Sequence, residues 1–153
     1  MLKILFICSL LLVSGGNILS QDKNIVDFSI FSVPDTVNKN SFTVFINIEI
    51  KKGWHLNSHN PMDEYLTPTT VKLKDTSEIK VVNIEYPPEV IKKLQFSDTD
   101  LSLYEGVVTI KVHLSLNDRF VKDKRKVGLE IEYQSCNNQT CLFPVQKNFV
   151  ISL

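Results

Sequence analysis

The stretch Tyr133-Gln134-Ser135-Cys136-Asn137-Asn138-Gln139-Thr140-Cys141-Leu142-Phe143-Pro144 holds two of the three cysteines in this chain of 153 residues. Before it, apolar and polar residues alternate over positions 127–134, with the period of a half-buried strand. After it, residues 145–153 are also predicted to form a strand. The cysteines should therefore lie at the tip of a hairpin-like connection. Asn137 and Asn138 suit a tight turn there, because asparagine tolerates left-handed backbone angles.

The spacing of this cysteine pair leaves two main roles open. A disulfide across a loop of about six residues contributes only about 2 kcal/mol through chain entropy, so a structural staple would be a weak one. A disulfide at an exposed turn can be attacked by the thiolate of another protein, which is the chemistry of a redox pair. Metal binding and free thiols are further alternatives at this stage.

The remainder of the chain predicts an all-β fold. Alternating apolar residues predict strands over residues 25–33, 41–50, 69–74, 79–85 and 107–116, and turns are predicted at residues 51–53 and 117–119. Residues 55–66 are polar and are predicted to form a loop, and residues 89–94 a helical turn or irregular structure. About seven or more short strands with turns between them are typical of an immunoglobulin-like β-sandwich. No long amphipathic helix is present in the sequence, which argues against a thioredoxin fold.

Residues 1–20 have the pattern of a signal peptide. Lys3 is followed by an apolar run of about ten residues that contains Cys8, and small residues then offer cleavage sites. The run is too short to span a membrane. We therefore expect an exported protein, periplasmic or secreted after cleavage, in which residues 21–153 form one domain. Disulfides are chemically permitted in that environment.

The charge of the chain narrows the class of partner. Residues 1–20 contain one lysine and no acidic residue, so the remaining chain has 16 basic and 17 acidic side chains and a net charge of −1. This balance argues against binding to nucleic acid and gives no reason to expect binding to anionic membranes. We expect a monomer without membrane insertion of the mature chain and without a cofactor.

The cysteine stretch resembles the corresponding segment of the N-terminal periplasmic domain of DsbD-type thiol:disulfide interchange proteins. That family has Tyr-Gln-small-Cys, a short polar loop, and then Cys with Pro soon after. Other segments resemble the family in the same order along the chain. They are Gly53-Trp54-His55-Leu56, Leu66-Thr67-Pro68-Thr69, Tyr86-Pro87-Pro88 and Leu103-Tyr104-Glu105-Gly106. The pattern differs at His55 and Asn57, which stand where some relatives have aromatic residues.

The resemblance implies that Cys136 and Cys141 cycle between dithiol and disulfide, with Cys141 as the sulfur that meets partners. Electrons would arrive from a thioredoxin-like donor and leave to oxidised exported proteins. Phe96 matches the aromatic residue of a cap loop that shields the pair, and Tyr104, Trp54 and Tyr133 would form the wall of the site. The alternative is a non-catalytic immunoglobulin-like binding domain whose disulfide is structural.

A metal site is not expected. The spacing of His55 and His59 and that of the two cysteines both differ from the tight patterns of zinc sites.

Overall fold

In the computed structural model of the protein, residues 25–38, 40–74, 78–117 and 126–153 are described. They form strands and no helix, so none of them belongs to a helix that could cross a membrane. The strands are β1 (Val26–Pro34), β2 (Ser41–Ile50), β3 (His55–Asn57), β4 (Thr70–Leu73), β5 (Ile79–Glu85), β6 (Val90–Lys92), β7 (Leu101–Tyr104), β8 (Val107–Leu116), β9 (Lys126–Tyr133), β10 (Ser135–Cys136) and β11 (Val145–Ser152). The expected signal peptide and residues 118 and 119 of the predicted turn lie outside the described residues.

The described strands form three antiparallel sheets. The first has the order β1-β2-β8-β5, the second β11-β9-β4, and the third β10-β3-β7-β6. In the first sheet, Ile46 of β2 lies opposite Ile110 of β8. In the second, β9 and β11 pair from Tyr133 and Val145 outwards, which confirms the predicted hairpin around the cysteine stretch.

The first and second sheets pack face to face around the main core. Strand β2 buries every second side chain, as the alternation in its sequence predicts. Residues from both sheets belong to one buried cluster, among them Ile46 and Ile110 from the first and Leu129 and Ile131 from the second. At one end, the ring of Phe28 in β1 lies 5.4 Å from that of Tyr133 in β9. The predicted all-β, immunoglobulin-like sandwich is thus confirmed.

Two glycines turn the chain between the sandwich and the third sheet. Gly53, between β2 and β3, has φ of 85°, and Gly106, between β7 and β8, has φ of 68°. A side chain would be strained at either angle. The backbone N–H of Ile50 donates a hydrogen bond to the carbonyl of Gly106, so the two turns are joined. These turns place β3 and β7 next to each other at the end of the core.

The third sheet is where the sequence prediction was wrong. Residues 55–57 belong to the predicted loop but form β3, and all three are buried. Residues 90–92 form the extended strand β6 rather than a helical turn, and β7 was not predicted as a strand. These strands have three or four residues, which is too few for a period of two to be recognised. Strand β6 is exposed along its whole length and lies at the edge of the sheet.

Ile46→Ala should lower the free energy of unfolding by about 2–5 kcal/mol, because Ile46 is fully buried between the two sheets and its truncation leaves a cavity. Urea denaturation followed by fluorescence measures this loss. Val150→Ala is the control: Val150 is 72% exposed in β11, and its truncation should change the free energy by about 0.5 kcal/mol or less. Equal losses in the two variants would contradict the assignment of the core.

Candidate functional site

A tight loop joins the two cysteines. The N–H of Asn137 donates to the carbonyl of Thr140 at 2.9 Å, and the side-chain oxygen Oδ1 of Asn137 accepts from the N–H groups of Gln139 at 2.8 Å and Thr140 at 3.0 Å. No described residue other than glycine has a positive φ. The predicted turn is therefore present, but Asn137 makes it through its side-chain acceptor and not through a left-handed backbone.

Cys136 and Cys141 form a disulfide, with their Cα atoms 4.0 Å apart. Their environments differ. Cys136 lies in β10 and is completely buried, whereas Cys141 comes after the loop and is half-buried. Strand β10 pairs with β3 so that Cys136 is opposite His55. Of the two cysteines, Cys141 is therefore the more exposed to solvent.

The apolar side of the disulfide is a small cluster separate from the main core. Cys136 packs there with the buried side chains of Leu94, Leu101 and Leu103, and Cys141 lies against it. Leu101 and Leu103 come from β7, and Leu94 comes from the segment between β6 and β7. The third sheet thus contributes to the enclosure of the cysteine pair, while its residues Leu56 and Tyr104 pack in the main core.

The polar side of the disulfide is a network of two amide side chains. Asn57 at the end of β3 is fully buried, and its Nδ2 donates to Oε1 of Gln134 at 2.9 Å and to the carbonyl of Thr67 at 3.1 Å. Gln134 also accepts from the N–H of Thr67 and donates to the carbonyl of Leu142, both at 2.9 Å. The oxygen Oδ1 of Asn57 lies 3.6 Å from the sulfur of Cys136.

Neither amide was predicted to contact the cysteines. Gln134 was noted only as part of the Tyr-Gln-Ser-Cys pattern, and Asn57 only as a departure from an aromatic position. The signal that was available is a polar residue at a position where relatives have an apolar ring. Such a residue must find hydrogen-bond partners when it is buried.

Buried hydroxyl groups continue this network along β3. The hydroxyl of Thr69 donates to the carbonyl of Asn57 at 2.6 Å, and the hydroxyls of Ser58 and Ser102 lie 2.7 Å apart. All of these residues are buried. They satisfy the backbone where β3 ends, which keeps Asn57 in a fixed position.

His55 lies opposite Cys136 and contacts two charged residues. Its Nε2 is 3.2 Å from a carboxylate oxygen of Glu105 and 3.4 Å from the ammonium of Lys92, and these two charges pair at 3.1 Å. Burial, aided by the charge of Lys92, lowers the pKa of His55, and Glu105 opposes the shift. The hydrogen bond from Lys92 lowers the pKa of Glu105. His55 is therefore neutral at pH 7, in a cleft that also includes Asn138 of the cysteine loop.

Phe96 lies in the segment between β6 and β7. Its neighbour Leu94 is buried in the cysteine cluster, and the N–H of Ser97 donates to the carbonyl of Leu94. The ring of Phe96 itself is 40% exposed. The structure thus brings the predicted cap segment to the cysteine pair through Leu94, a residue that the sequence analysis did not single out.

The three residues predicted for the site wall pack in the main core. Tyr104 and Tyr133 are buried there, and Trp54 lies partly buried against it. The hydroxyl of Tyr104 accepts from the backbone N–H of His59 at 3.2 Å and lies 2.8 Å from its Nδ1. Burial raises the pKa of Tyr104 to about 12. These aromatic residues support the strands that carry the site.

Within the described parts of the chain, no group of three or more histidine, cysteine or acidic residues is placed to hold a metal ion.

The chain matches the model of a known protein family over most of its length. The family model described as "Thiol:disulfide interchange protein DsbD, N-terminal" matches residues 21–153. No curated protein matches the chain.

Two solved structures resemble the fold. The N-terminal periplasmic domain of ScsB from Proteus mirabilis matches with a TM-score of 0.63 and 11% identity, over 90% of this chain and 50% of that one. The chain thus spans about half of that structure, and at this identity the likeness concerns the fold alone. The yeast GGA1 GAE domain matches with a TM-score of 0.41 and 8% identity, over 84% of this chain and 88% of that one.

Replacement of His55 by glutamine should weaken the fall in melting temperature on acidification. The folded protein holds the pKa of His55 below its ordinary 6.5, so the unfolded chain takes up this proton first as the pH falls. Stability is therefore lost from about pH 6.5 downwards until the pKa of the folded state is passed. Melting temperatures of wild type and His55→Gln across this range measure the effect.

The control is His59→Gln, which removes an exposed histidine four residues further along the chain. It separates the effect of the buried His55 from the effect of losing any one histidine. The same pH dependence in His55→Gln as in wild type would show that protonation of His55 does not oppose folding.

Proposed function

Since the chain belongs to the family of the N-terminal domain of the thiol:disulfide interchange protein DsbD, we propose that Cys136 and Cys141 exchange electrons with other proteins as a dithiol–disulfide pair. Thiol–disulfide interchange is the function of the family. The observation that supports a redox role for these two residues is their asymmetry. Cys136 is fully buried, whereas Cys141 is partly exposed and follows the exposed residues 138–140 of the loop.

The proposed direction is reduction of exported proteins. A thioredoxin-like donor reduces the Cys136–Cys141 bond. In the dithiol, the thiolate of Cys141 attacks a disulfide of the exported protein, forms a mixed disulfide and releases one thiolate of that protein. Cys136 then loses its proton and attacks the sulfur of Cys141, which releases the second thiolate. Two electrons pass to the exported protein, and its two thiolates take up the two protons that the cysteines have lost.

Cys141 is assigned to the contact with partners because of its position. It is half-buried, and although Leu142 next to it is partly buried, Phe143 and Pro144 are exposed, with Phe143 at 85%. Pro144 restricts Phe143 to extended conformations. The exposed apolar ring of Phe143 lies two residues after Cys141 along the chain, and we assign it to the surface that a partner's active site covers.

Phe96 is assigned to shielding of the pair. Its segment is anchored by Leu94, which packs on Cys136, so a small movement of the exposed part can change access to the sulfurs. Shielding is useful in an exported protein, because the reduced pair works in the periplasm or another oxidising environment.

Cys136→Ser should accumulate covalent adducts with thioredoxin-like proteins and with oxidised exported proteins in the exported compartment. In this variant Cys141 can attack a partner's disulfide, and no second thiol is left to release the partner. The matched variant Cys141→Ser retains only the buried sulfur and should give few adducts. Non-reducing gels followed by mass spectrometry of the adducts measure the ratio.

More adducts with Cys141→Ser than with Cys136→Ser would reverse the roles of the two sulfurs. If neither variant gives an adduct, the disulfide is a structural staple and the domain a non-catalytic binding module. Closure of this short loop contributes only about 2 kcal/mol, so we expect the reduced protein to keep its fold. A reduced protein that no longer unfolds cooperatively would instead support the structural role of the disulfide.

Phe96→Ala should speed alkylation of the reduced pair by a small reagent several-fold, with little change in melting temperature. The physical reason is that a ring over the sulfurs blocks the reagent, while a half-exposed ring contributes little to packing. Phe31→Ala is the control, since Phe31 has a similar exposure, 46% against 40%, and lies in β1 away from the cysteine cluster. Equal alkylation rates in wild type and Phe96→Ala would remove Phe96 from the site.

A further inference from the structure

Backbone groups fix the orientation of the Gln134 side chain. Its Oε1 lies 2.9 Å from the N–H of Thr67, which can only donate, and its Nε2 lies 2.9 Å from the carbonyl of Leu142, which can only accept. Exchange of the two ends of the amide would bring donor against donor and acceptor against acceptor. The position of the oxygen is thus determined by the fold.

Gln134 and Thr67 in turn fix the orientation of Asn57. The nitrogen Nδ2 of Asn57 donates one proton to Oε1 of Gln134 and the other to the carbonyl of Thr67. Both protons are used, so the oxygen Oδ1 must be the atom that faces Cys136, at 3.6 Å from its sulfur. A buried hydrogen-bond acceptor is therefore directed at a buried sulfur.

This contact has different consequences in the two redox states. The sulfur of the disulfide carries no proton, so Asn57 makes only a contact with it. After reduction, a Cys136 thiol can donate its proton to Oδ1, since the S–H group is a weak donor. A Cys136 thiolate would instead be buried and would face the lone pairs of the amide oxygen, which disfavours the charged form.

The titratable groups near Cys136 do not offset this effect. Lys92 and Glu105 pair with each other at 3.1 Å, and His55, opposite Cys136, is buried and neutral at pH 7. The segment that carries Leu94 has the charged residues Lys93, Asp98 and Asp100, all exposed to solvent, and its net negative charge does not favour a thiolate. The remaining neighbours in the cysteine cluster are leucines.

We propose that Asn57 holds Cys136 as the protonated thiol in the reduced protein, so that Cys141 is the cysteine that ionises. The inference rests on the proposed function only because the pair must be reduced in use. Asn57 is a positioning residue here: it acts on the proton of Cys136 and does not meet the partner. The proton leaves Cys136 only when this cysteine attacks the sulfur of Cys141 in the mixed disulfide and releases the partner.

The test uses the purified protein with Cys8→Ser, so that no third thiol contributes whether or not residues 1–20 have been cleaved. Two single-thiol proteins are compared, Cys141→Ser and Cys136→Ser, by the infrared S–H stretching band and by titration of thiolate absorbance. The Cys136 thiol should absorb at lower frequency than the Cys141 thiol, as a hydrogen-bond donor does. Its pKa should be higher than that of Cys141 by about one unit or more.

Two further variants separate the hydrogen bond from burial. Asn57→Leu in the Cys141→Ser protein keeps an apolar side chain of similar size and removes the acceptor, so the S–H band should move to higher frequency. Leu103→Ala in the same background is the matched control, because it loosens the packing on Cys136 and leaves Asn57 in place. The S–H band of this variant should keep the frequency measured for the Cys141→Ser protein without a further substitution.

Equal frequencies for the two single thiols, or a pKa of Cys136 at or below that of Cys141, would overturn the inference. That comparison needs no substitution at Asn57, so it decides the question even if Asn57→Leu does not fold. An unshifted band in a folded Asn57→Leu protein would overturn it as well. If the adduct experiment with Cys136→Ser fails while the band behaves as expected, the exchange function is wrong and the assignment of the proton stands.

Discussion

Backbone pairing between β10 and β3 is the constraint on which the site depends. It holds Cys136 opposite His55 in the interior, while the chain leaves the strand within the next five residues and brings Cys141 to the surface. The difference between the two sulfurs thus arises from the path of the backbone. The hydrogen bonds of Asn137 that close the loop do not involve sulfur, so they can hold the two cysteines near each other in the reduced protein as well.

The cysteine pair packs in an apolar cluster that is separate from the main core. The main core is formed mainly by the faces of the first two sheets, with residues such as Ile46 and Leu129, and neither cysteine belongs to it. The cysteine pair packs in its own small cluster with leucines from β7 and from the segment before it. Most of the hydrophobic stabilisation therefore lies in a cluster that contains neither cysteine.

The strands of the sandwich could be predicted from the sequence because each is long enough to show its alternation. Strands β2 and β8 have the predicted bounds, and the cysteine hairpin lies where the pattern placed it. Strand β3 could not be predicted, since His55 and Asn57 are polar and are buried only because partners from distant parts of the chain satisfy them. The same holds for the role of Asn57, whose direction depends on Gln134, 77 residues away. Local patterns contain no information about such contacts.

The exposed edge of the third sheet has a consequence for behaviour at high concentration. Strand β6 offers its outer main-chain groups to solvent, and an open edge of this kind can recruit another chain and start aggregation. Here the edge has only three residues, the prolines at 87 and 88 precede it, and Lys92 and Lys93 lie at its end. A second molecule that approached along this edge would meet positive charge and too short a ladder to pair with. The domain can therefore leave a sheet edge open in the sheet that carries its disulfide without offering a long strand for another copy to pair with.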